Sequence, residues 1–263
     1  MDEMPYAAGL GPRSADGVRV AGWVVFGAGG HARSVVDVLE RLGESVVAVV
    51  GEAGGRAWHV DVLADEEEAL ERVVREGLRA AVAIGAPEPR LALLPRLGAQ
   101  PSESSVQNVP ARSAHSSEGG PARSAHSSEG GPDVSSRVQF APAVVAVSAT
   151  VAPDVQLGAG SVVLEHAHVG PAARLGAGVI VNTGAIVEHD CVVGDGGHIA
   201  PGAVLLGSAS VGAACLVGSG ARILPGVTVG SDVTIGAGAV VTRDVPDGVT
   251  ITGVPARAES VHR

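Results

Sequence analysis

Aromatic residues and cysteine are both scarce in this sequence of 263 residues. Aromatics make up only 2%, which excludes a core built on packed rings, so small and β-branched residues must fill the interior. The two cysteines, Cys191 and Cys215, are too few for a disulfide framework. The sequence also lacks any apolar run of about 18 residues and any basic region followed by an apolar stretch at its start. We therefore expect a cytoplasmic protein.

Positive charge is in short supply as well. The chain has 18 Lys and Arg against 28 Asp and Glu, which gives a net charge of −10. Such a charge repels phosphate backbones and anionic lipids, so we expect no binding to nucleic acid or membrane and instead a small-molecule partner. What the chain has in abundance is glycine and proline, 38 and 16 residues, which favours short strands and many turns.

Aliphatic residues recur at every sixth position in the second half of the chain. From Val151 to Val241 all sixteen such positions are aliphatic, and the residue two places before each of them is small. Glycine often follows the aliphatic residue, as at Gly170 and Gly194. We expect glycine there because a chain that turns a sharp corner needs backbone freedom.

This hexapeptide pattern is typical of a parallel β-helix. Three hexapeptides form one coil, so residues eighteen apart stack and every internal backbone group finds a partner. In this register Cys191 and Cys215 point inward, whereas His189 and Asp190 occupy an outward corner. Gly207 stacks on His189, and we expect the missing side chain to leave room for a substrate beside the imidazole.

The first hundred residues have a different pattern, in which strands alternate with helices. Such alternation predicts a small parallel sheet of the Rossmann type. The predicted strands are residues 23–26, 46–50 and 80–84, and the predicted helices are residues 34–42, 65–76 with Asp65 as the cap, and 90–97.

Four segments follow from these patterns. Residues 1–20 are predicted to be a disordered leader, and residues 21–100 a nucleotide-sugar-binding domain. Residues 101–136 contain PARSAHSSEGG twice in tandem and are predicted to be a flexible linker or insertion, because a Gly-, Ser- and Pro-rich duplication cannot bury a core. Residues 137–263 are predicted to be the β-helix.

A glycine-rich turn, GAGGHA at residues 27–32, lies between the first strand and the first helix. Free amides at a helix N-terminus can hold a phosphate, and Glu52 follows the second strand, where dinucleotide folds place a ribose-binding acid. Only about 80 residues surround the turn, which is half of a dinucleotide fold. A mononucleotide or nucleotide sugar therefore fits better than NAD.

Three stretches together resemble a known family. They are GAGGHARSVVDVLE at residues 27–40, VNTGAIVEHDCVVGDGGHIAPGAVLLG at residues 181–207 and GVPAR at residues 253–257. In combination with the hexapeptide array, these resemble the sialic acid O-acetyltransferase and UDP-4-amino-sugar N-acetyltransferase group of sugar acetyltransferases. The resemblance implies a left-handed β-helix, a homotrimer, and acetyl transfer from acetyl-CoA to an amino or hydroxyl group of a nucleotide-linked sugar.

The same resemblance implies roles for individual residues. His189 corresponds to the general base, Asp190 to the acid that supports its basicity, and His198 to a contact for acetyl-CoA. The remaining contacts for acetyl-CoA are expected at Gly207, Gly218, Ser219 and Ala237. Those for the nucleotide sugar are expected at Gly29, Gly30, His31 and Glu52.

Other functions stay open from the sequence alone. The acceptor could be sialic acid or a related free sugar, acetylated on oxygen. A zinc lyase on a β-helix would need three histidines, and no third one accompanies His189 and His198, so we expect no metal. A non-catalytic, trimeric nucleotide-sugar-binding module would use the solenoid only as a stem, and a dehydrogenase would need NAD.

Overall fold

The computed structural model describes residues 22–55, 57–98 and 141–258. The predicted leader and the predicted linker with its duplication lie outside these residues. The segment boundaries drawn from the sequence therefore stay predictions.

The N-terminal domain is a four-stranded parallel sheet with the strand order β3-β2-β1-β4, flanked by helices. Its strands are Trp23–Phe26 (β1), Val46–Val50 (β2), Asp61–Leu63 (β3) and Arg79–Val82 (β4). Its helices are Gly30–Arg41 (α1), Glu66–Glu76 (α2) and Pro87–Leu93 (α3), followed by a 3-10 helix at Pro95–Leu97. The predicted α/β class is confirmed.

Three elements of this domain differ from the prediction. Helix α3 begins at Pro87 rather than at residue 90 and ends at Leu93, and a 3-10 helix takes the place of its predicted last turn. Helix α1 begins at Gly30 rather than at residue 34, so the glycine-rich sequence itself forms the first turn of the helix. Strand β3 was not predicted, because it is a short edge strand with an exposed residue, Val62, at its centre. The cap of α2 is as predicted, since the Asp65 carboxylate accepts hydrogen bonds from the backbone N–H groups of Glu67 and Glu68.

The C-terminal domain is a parallel β-solenoid of about six turns, which confirms the predicted β-helix. Its strands form three faces. Face A contains Val144–Val145 (β5), Val162–Val163 (β8), Ile180–Val181 (β11), His198–Ile199 (β14), Leu216–Val217 (β17), Thr234–Ile235 (β20), Thr250–Thr252 (β22) and Arg257–Ala258 (β23). Face B contains Thr150–Val151 (β6), His168–Val169 (β9), Ile186–Val187 (β12), Val204–Leu205 (β15), Arg222–Ile223 (β18) and Val240–Val241 (β21). Face C contains Gln156–Leu157 (β7), Arg174–Leu175 (β10), Val192–Val193 (β13), Ser210–Val211 (β16) and Thr228–Val229 (β19).

The hexapeptide register holds from β5 to β21, where strands eighteen residues apart pair in parallel, as Ile186 does with Val204. The last coil differs, because Thr234 of β20 pairs with Thr250 of β22, sixteen residues further on, and β23 pairs antiparallel with β22. Fourteen of the sixteen aliphatic positions are buried, and only Val151 and Leu157 in the first coil are partly exposed. The left-handed sense that the resemblance implies stays a prediction.

The expected role of the glycines after the aliphatic residues is wrong. Gly170 and Gly194 do not have a positive φ, and a Cβ on either would lie within 3 Å of the backbone of the next coil. These glycines therefore let neighbouring coils approach. The left-handed corner residue instead lies three places after the aliphatic residue, as with Gly196 (φ 67°) and Asp190 (φ 59°).

The two domains pack against each other. Val35 and Val36 of α1 belong to one buried cluster with Val144 and Val162 of face A. The segment at α3 packs on the edge that joins face C to face A, where a Cβ on Gly178 would lie 2.8 Å from Leu94. A left-handed corner without a side chain thus allows the helical segment to lie against the solenoid.

Candidate active site

His189 and Asp190 occupy the edge between faces B and C, as the register predicted. Their side chains are 60% and 59% exposed, and Nδ1 of His189 lies 2.8 Å from Oδ2 of Asp190. The positive φ of Asp190 recurs at the equivalent corner positions from Gly160 to Gly238, so the turn that ends these hexapeptides also directs this carboxylate. The result is an exposed imidazole with one ring nitrogen bonded to a carboxylate.

Gly207 lies against the imidazole of His189. A Cβ at residue 207 would lie 2.5 Å from Nε2 and 2.6 Å from Cε1 of the ring. The backbone of the two coils is joined here, because Ser208 N–H donates to the carbonyl of His189 over 2.9 Å. The prediction that Gly207 leaves room for a substrate beside the ring is therefore wrong. The missing side chain of Gly207 makes room for the imidazole itself.

His198 lies on face A, at the contact with the N-terminal domain. Its ring centroid is 6.4 Å from that of His31, which belongs to the first turn of α1. Nδ2 of Asn182 lies 3.1 Å from Nε2 of His198, and the Asn182 side-chain oxygen accepts from Thr183 N–H. The Asn182 amide therefore donates to Nε2, and a neutral His198 carries its proton on Nδ1.

Burial lowers the pKa of both rings of this pair. The pKa of His31 falls to about 4 through burial, then through the charges of His198 and Arg90. The pKa of His198 also falls to about 4, through burial and then Arg90. Both rings are therefore neutral near pH 7.

Gly29 and Gly30 begin α1 beside this histidine pair. Both are exposed, a Cβ on either would meet no atom within 4 Å, and no side chain caps the helix at Gly29. The first amides of α1 are consequently open to a ligand, as an anion site requires.

A cleft of about 290 Å³ opens at the carboxyl ends of β1 and β2. It is lined by Phe26, Gly27, Ala28, Val50, Gly51, Ala64, Glu66 and Ile84. Glu52 is exposed and directly follows the lining residue Gly51, so it borders the cleft without lining it. Ligands of parallel α/β sheets bind at this end of the strands.

The remaining predicted contacts lie on a different edge of the solenoid from His189. Gly218, Ser219 and Ala237 are corner residues between faces A and B, and they stack in successive coils, since a Cβ on Gly218 would lie 2.7 Å from Ala237 N. One chain therefore does not bring all predicted site residues to one place. His189 and Gly207 form one group, and Gly218, Ser219 and Ala237 form another.

Two site residues were missed from the sequence, Arg90 and Asn182. Arg90 is fully buried in α3, and its charge lowers the pKa of both His31 and His198. Asn182 lies within the stretch 181–207 that carries the resemblance, although no role was predicted for it, and it meets His198 within the solenoid. Arg90 lies outside the three stretches, and its position follows from the docking of the two domains. The inward cysteines were predicted correctly, and burial raises the pKa of Cys191 and of Cys215 to about 11.

Comparison with known proteins agrees with this architecture. Residues 23–97 match the PglD N-terminal domain, and residues 208–243 match the bacterial transferase hexapeptide (six repeats). A structure of perosamine N-acetyltransferase from Caulobacter crescentus, a histidine-to-asparagine mutant in complex with CoA and GDP-perosamine, is 34% identical with a TM-score of 0.72. The match covers 91% of this chain and 97% of that one. The chain belongs to the hexapeptide-repeat sugar acetyltransferases with a PglD N-terminal domain.

Two further solved structures are also similar. The acetyltransferase domain of PglB from Neisseria gonorrhoeae is 29% identical with a TM-score of 0.71, over 91% of this chain and all of that domain. WeeI from Acinetobacter baumannii is 20% identical with a TM-score of 0.62, over 90% of this chain and 99% of its own, and shares the fold. No curated protein matched the sequence.

As a sugar acetyltransferase, this chain is an acyltransferase. Among residues 22–55, 57–98 and 141–258, no group of three or more His, Cys, Asp or Glu side chains could hold a metal ion. In the same part of the chain, no helix is long and apolar enough to cross a membrane.

Proposed function

We propose that this chain transfers an acetyl group from acetyl-CoA to an amino group of a nucleotide-linked sugar. The observation that carries the proposal is the His189–Asp190 pair, exposed at a corner of the solenoid in a chain 34% identical to a perosamine N-acetyltransferase. The structure of that relative holds CoA and GDP-perosamine, and one of the PglB domain holds acetyl coenzyme A.

In the proposed mechanism His189 is the general base. Its Nδ1–H donates to the Asp190 carboxylate, so the lone pair of the neutral ring is on Nε2. Nε2 removes a proton from the amine as the nitrogen attacks the thioester carbonyl, and Asp190 stabilises the imidazolium that forms. The tetrahedral intermediate then loses the CoA thiolate, which takes up the proton from the imidazolium of His189, so that CoA leaves as the thiol, the neutral base is restored and the acetyl group remains on nitrogen as an amide.

Direct transfer needs no covalent acyl-enzyme, because a thioester is already activated for attack. The two cysteines are buried with a raised pKa, and thiols in that state are poor nucleophiles. Their surroundings support a mechanism in which only the imidazole moves a proton.

The two substrates would contact different domains, the nucleotide sugar the N-terminal domain and acetyl-CoA the solenoid. For the nucleotide sugar we propose the open amides of Gly29 and Gly30, His31, and Glu52 at the border of the cleft. For acetyl-CoA we propose the following contacts: His198, Gly207, Gly218, Ser219 and Ala237.

A homotrimer would complete such a site. His189 lies on the edge between faces B and C, whereas Gly218 lies on the edge between faces A and B, so a second copy is needed to bring the two edges together. Outward apolar side chains on face B, Ile186, Val204 and Val240, are only partly buried in one chain, which supports such packing. A mass in solution of three times 26.0 kDa would support the trimer, and a monomer that retains full activity would exclude it.

The experiment that tests the function is release of free thiol from acetyl-CoA with a panel of UDP-, GDP- and dTDP-linked amino sugars, with free sialic acid alongside. We expect thiol release with at least one nucleotide-linked amino sugar, together with mass-spectrometric detection of its amide. Transfer to sialic acid alone would instead assign O-acetylation of a free sugar.

The other outcomes identify the remaining alternatives. Binding of nucleotide sugars without any transfer would assign a non-catalytic module, and stoichiometric zinc in the purified protein would revive the lyase. A panel of acyl-CoA donors determines whether acetyl is preferred over longer chains. The cytoplasmic location predicted from the sequence stays a prediction.

A further inference from the structure

Arg90 is a buried cation that bonds the two domains together. It lies on α3 with 0% exposure, and one terminal nitrogen of its guanidinium donates to the carbonyls of Ile84 and Gly85, each over 2.7 Å. The other terminal nitrogen donates over 2.5 Å to the carbonyl of Gly196, at a corner of the solenoid. The planar fork of arginine can span both groups at once, which the single ammonium of lysine cannot do.

The histidine pair lies at the same junction. His31 comes from α1 in the N-terminal domain and His198 from β14 in the solenoid, so their separation depends on how the domains dock. Asn182 orients the His198 ring, as described above. Nε2 of His31 is buried and has no hydrogen-bond partner among the residues that the structure describes.

The charge of Arg90 acts on both rings. It adds to the effect of burial in lowering the pKa of His198, and it adds to the effects of burial and of His198 in lowering the pKa of His31. The Asp195 carboxylate, next to Gly196, accepts a hydrogen bond from Ala177 N–H over 2.7 Å.

We propose that Arg90 is a positioning residue, whose bridge from α3 to the carbonyl of Gly196 holds His31 beside His198 across the domain junction. The inference rests on the proposed function, in which these two histidines contact the two substrates. A pair of neutral rings offers N–H donors and lone pairs to uncharged carbonyl and hydroxyl groups. The bridge to Gly196 keeps the two halves of the site at a fixed distance, and a displacement of about 1 Å can cost about 10²-fold in rate.

Arg90→Lys tests the bridge, with Arg75→Lys as the matched control on the exposed surface of α2. We expect kcat/KM for the nucleotide sugar to fall about 10- to 100-fold in Arg90→Lys, including a fall in kcat of the folded protein. Arg75→Lys should have wild-type kinetics. A folded Arg90→Lys with wild-type kcat and KM would overturn the inference.

A second measurement needs no variant. In the wild-type protein with ¹⁵N-labelled imidazoles, we expect the NMR signals of His31 and His198 to be those of neutral rings at pH 6.5, with the His198 proton on Nδ1. A charged ring at that pH, or a proton on Nε2 of His198, overturns the inference whether or not Arg90 variants fold.

Failure of the proposed function has a different signature. In that case neither the wild type nor Arg75→Lys would acetylate any sugar of the panel. If the wild type and Arg75→Lys are both active, the kinetics of Arg90→Lys test the positioning role alone.

Discussion

Gly207 and His189 are stacked so closely that the imidazole occupies the volume of a missing side chain. A Cβ at residue 207 would lie 2.5 Å from Nε2, the ring nitrogen that faces away from Asp190. The two residues are eighteen apart in sequence and lie in successive coils, which Ser208 N–H joins through the carbonyl of His189. Position and access of the proposed base are therefore set by the neighbouring coil.

Gly207→Ala should reduce activity more than it reduces stability. The three atoms nearest to the added methyl all belong to the ring of His189, which can rotate away and lose its position. In Gly212→Ala, by contrast, the methyl would lie 2.6 Å from the backbone of Gly230 in the next coil, so we expect a lower Tm. Thermal unfolding and kcat measured on both variants check this contrast. Equal losses of Tm in the two variants would contradict it.

His189→Asn should lower kcat by about 10²- to 10⁴-fold, the usual contribution of a general base. CoA binding should persist, because the contacts proposed for acetyl-CoA at His198 and Gly218 are unchanged in this variant. His166→Asn is the control, because His166 is another exposed corner histidine of the solenoid. Thiol release measures kcat, and calorimetry measures binding. Undiminished transfer by His189→Asn would exclude the proposed base.

Asp190→Asn isolates the charge of the carboxylate from the shape of the corner. Asparagine tolerates the left-handed φ of 59° at residue 190, so the turn should be retained. We expect kcat to fall about tenfold, because a charge-assisted hydrogen bond is worth about 1 kcal/mol more than a neutral one. The same substitution at Asp232, another left-handed corner, should leave kcat unchanged. A rate for Asp190→Asn equal to wild type would mean that the carboxylate does not assist the base.

Acid should destabilise the protein through His31 and His198. Each has a folded pKa lowered to about 4 by burial, below the usual value of 6.5. Between these values the unfolded chain binds protons that the folded chain does not, so the free energy of unfolding falls as the pH drops from about 6.5 to 4. Above pH 6.5 the two rings contribute no pH dependence.

The measurement is Tm between pH 7 and pH 4.5 for wild type and a His31→Gln, His198→Gln double variant. The double variant should have the flatter profile, whereas His166→Gln should follow the wild type. Identical slopes in wild type and double variant would show that the rings are not held neutral in the folded protein.

Cys191 and Cys215 should not react with thiol reagents in the folded protein. Both are buried, and burial raises the pKa of each thiol to about 11. We expect almost no reaction with a disulfide reagent at pH 7.5 and reaction of both thiols in denaturant. Rapid labelling of the native protein would contradict the inward placement of both thiols. It would also count against direct transfer, because an accessible thiol could act as a nucleophile.

The hexapeptide register predicted more than the fold. Because the solenoid repeats with one period, the sequence placed His189 and Asp190 on an outward corner and both cysteines inside, and the structure agrees. The same register could not explain the glycines at Gly170 and Gly194, because the distance between coils is a property of stacked backbones.

The short strand β3 and the early start of α1 also escaped the sequence. Strand β3 has no apolar run that would predict it from the sequence. It forms because it pairs with β2 at the edge of the sheet. Glycine disfavours a helix locally, and Gly30 begins α1 only because the rest of the helix packs on the sheet.

By itself the sequence determined the solenoid, the α/β domain and the corner that carries His189, because local periodicity fixes which residues face inward. Only the tertiary structure decided that His31 meets His198 and that Arg90 bonds α3 to Gly196. Such contacts join residues far apart in the chain. Arg90 and Gly196, for example, are separated by 106 positions in the sequence. They depend on how two folded surfaces dock, and no periodicity within either segment encodes that arrangement.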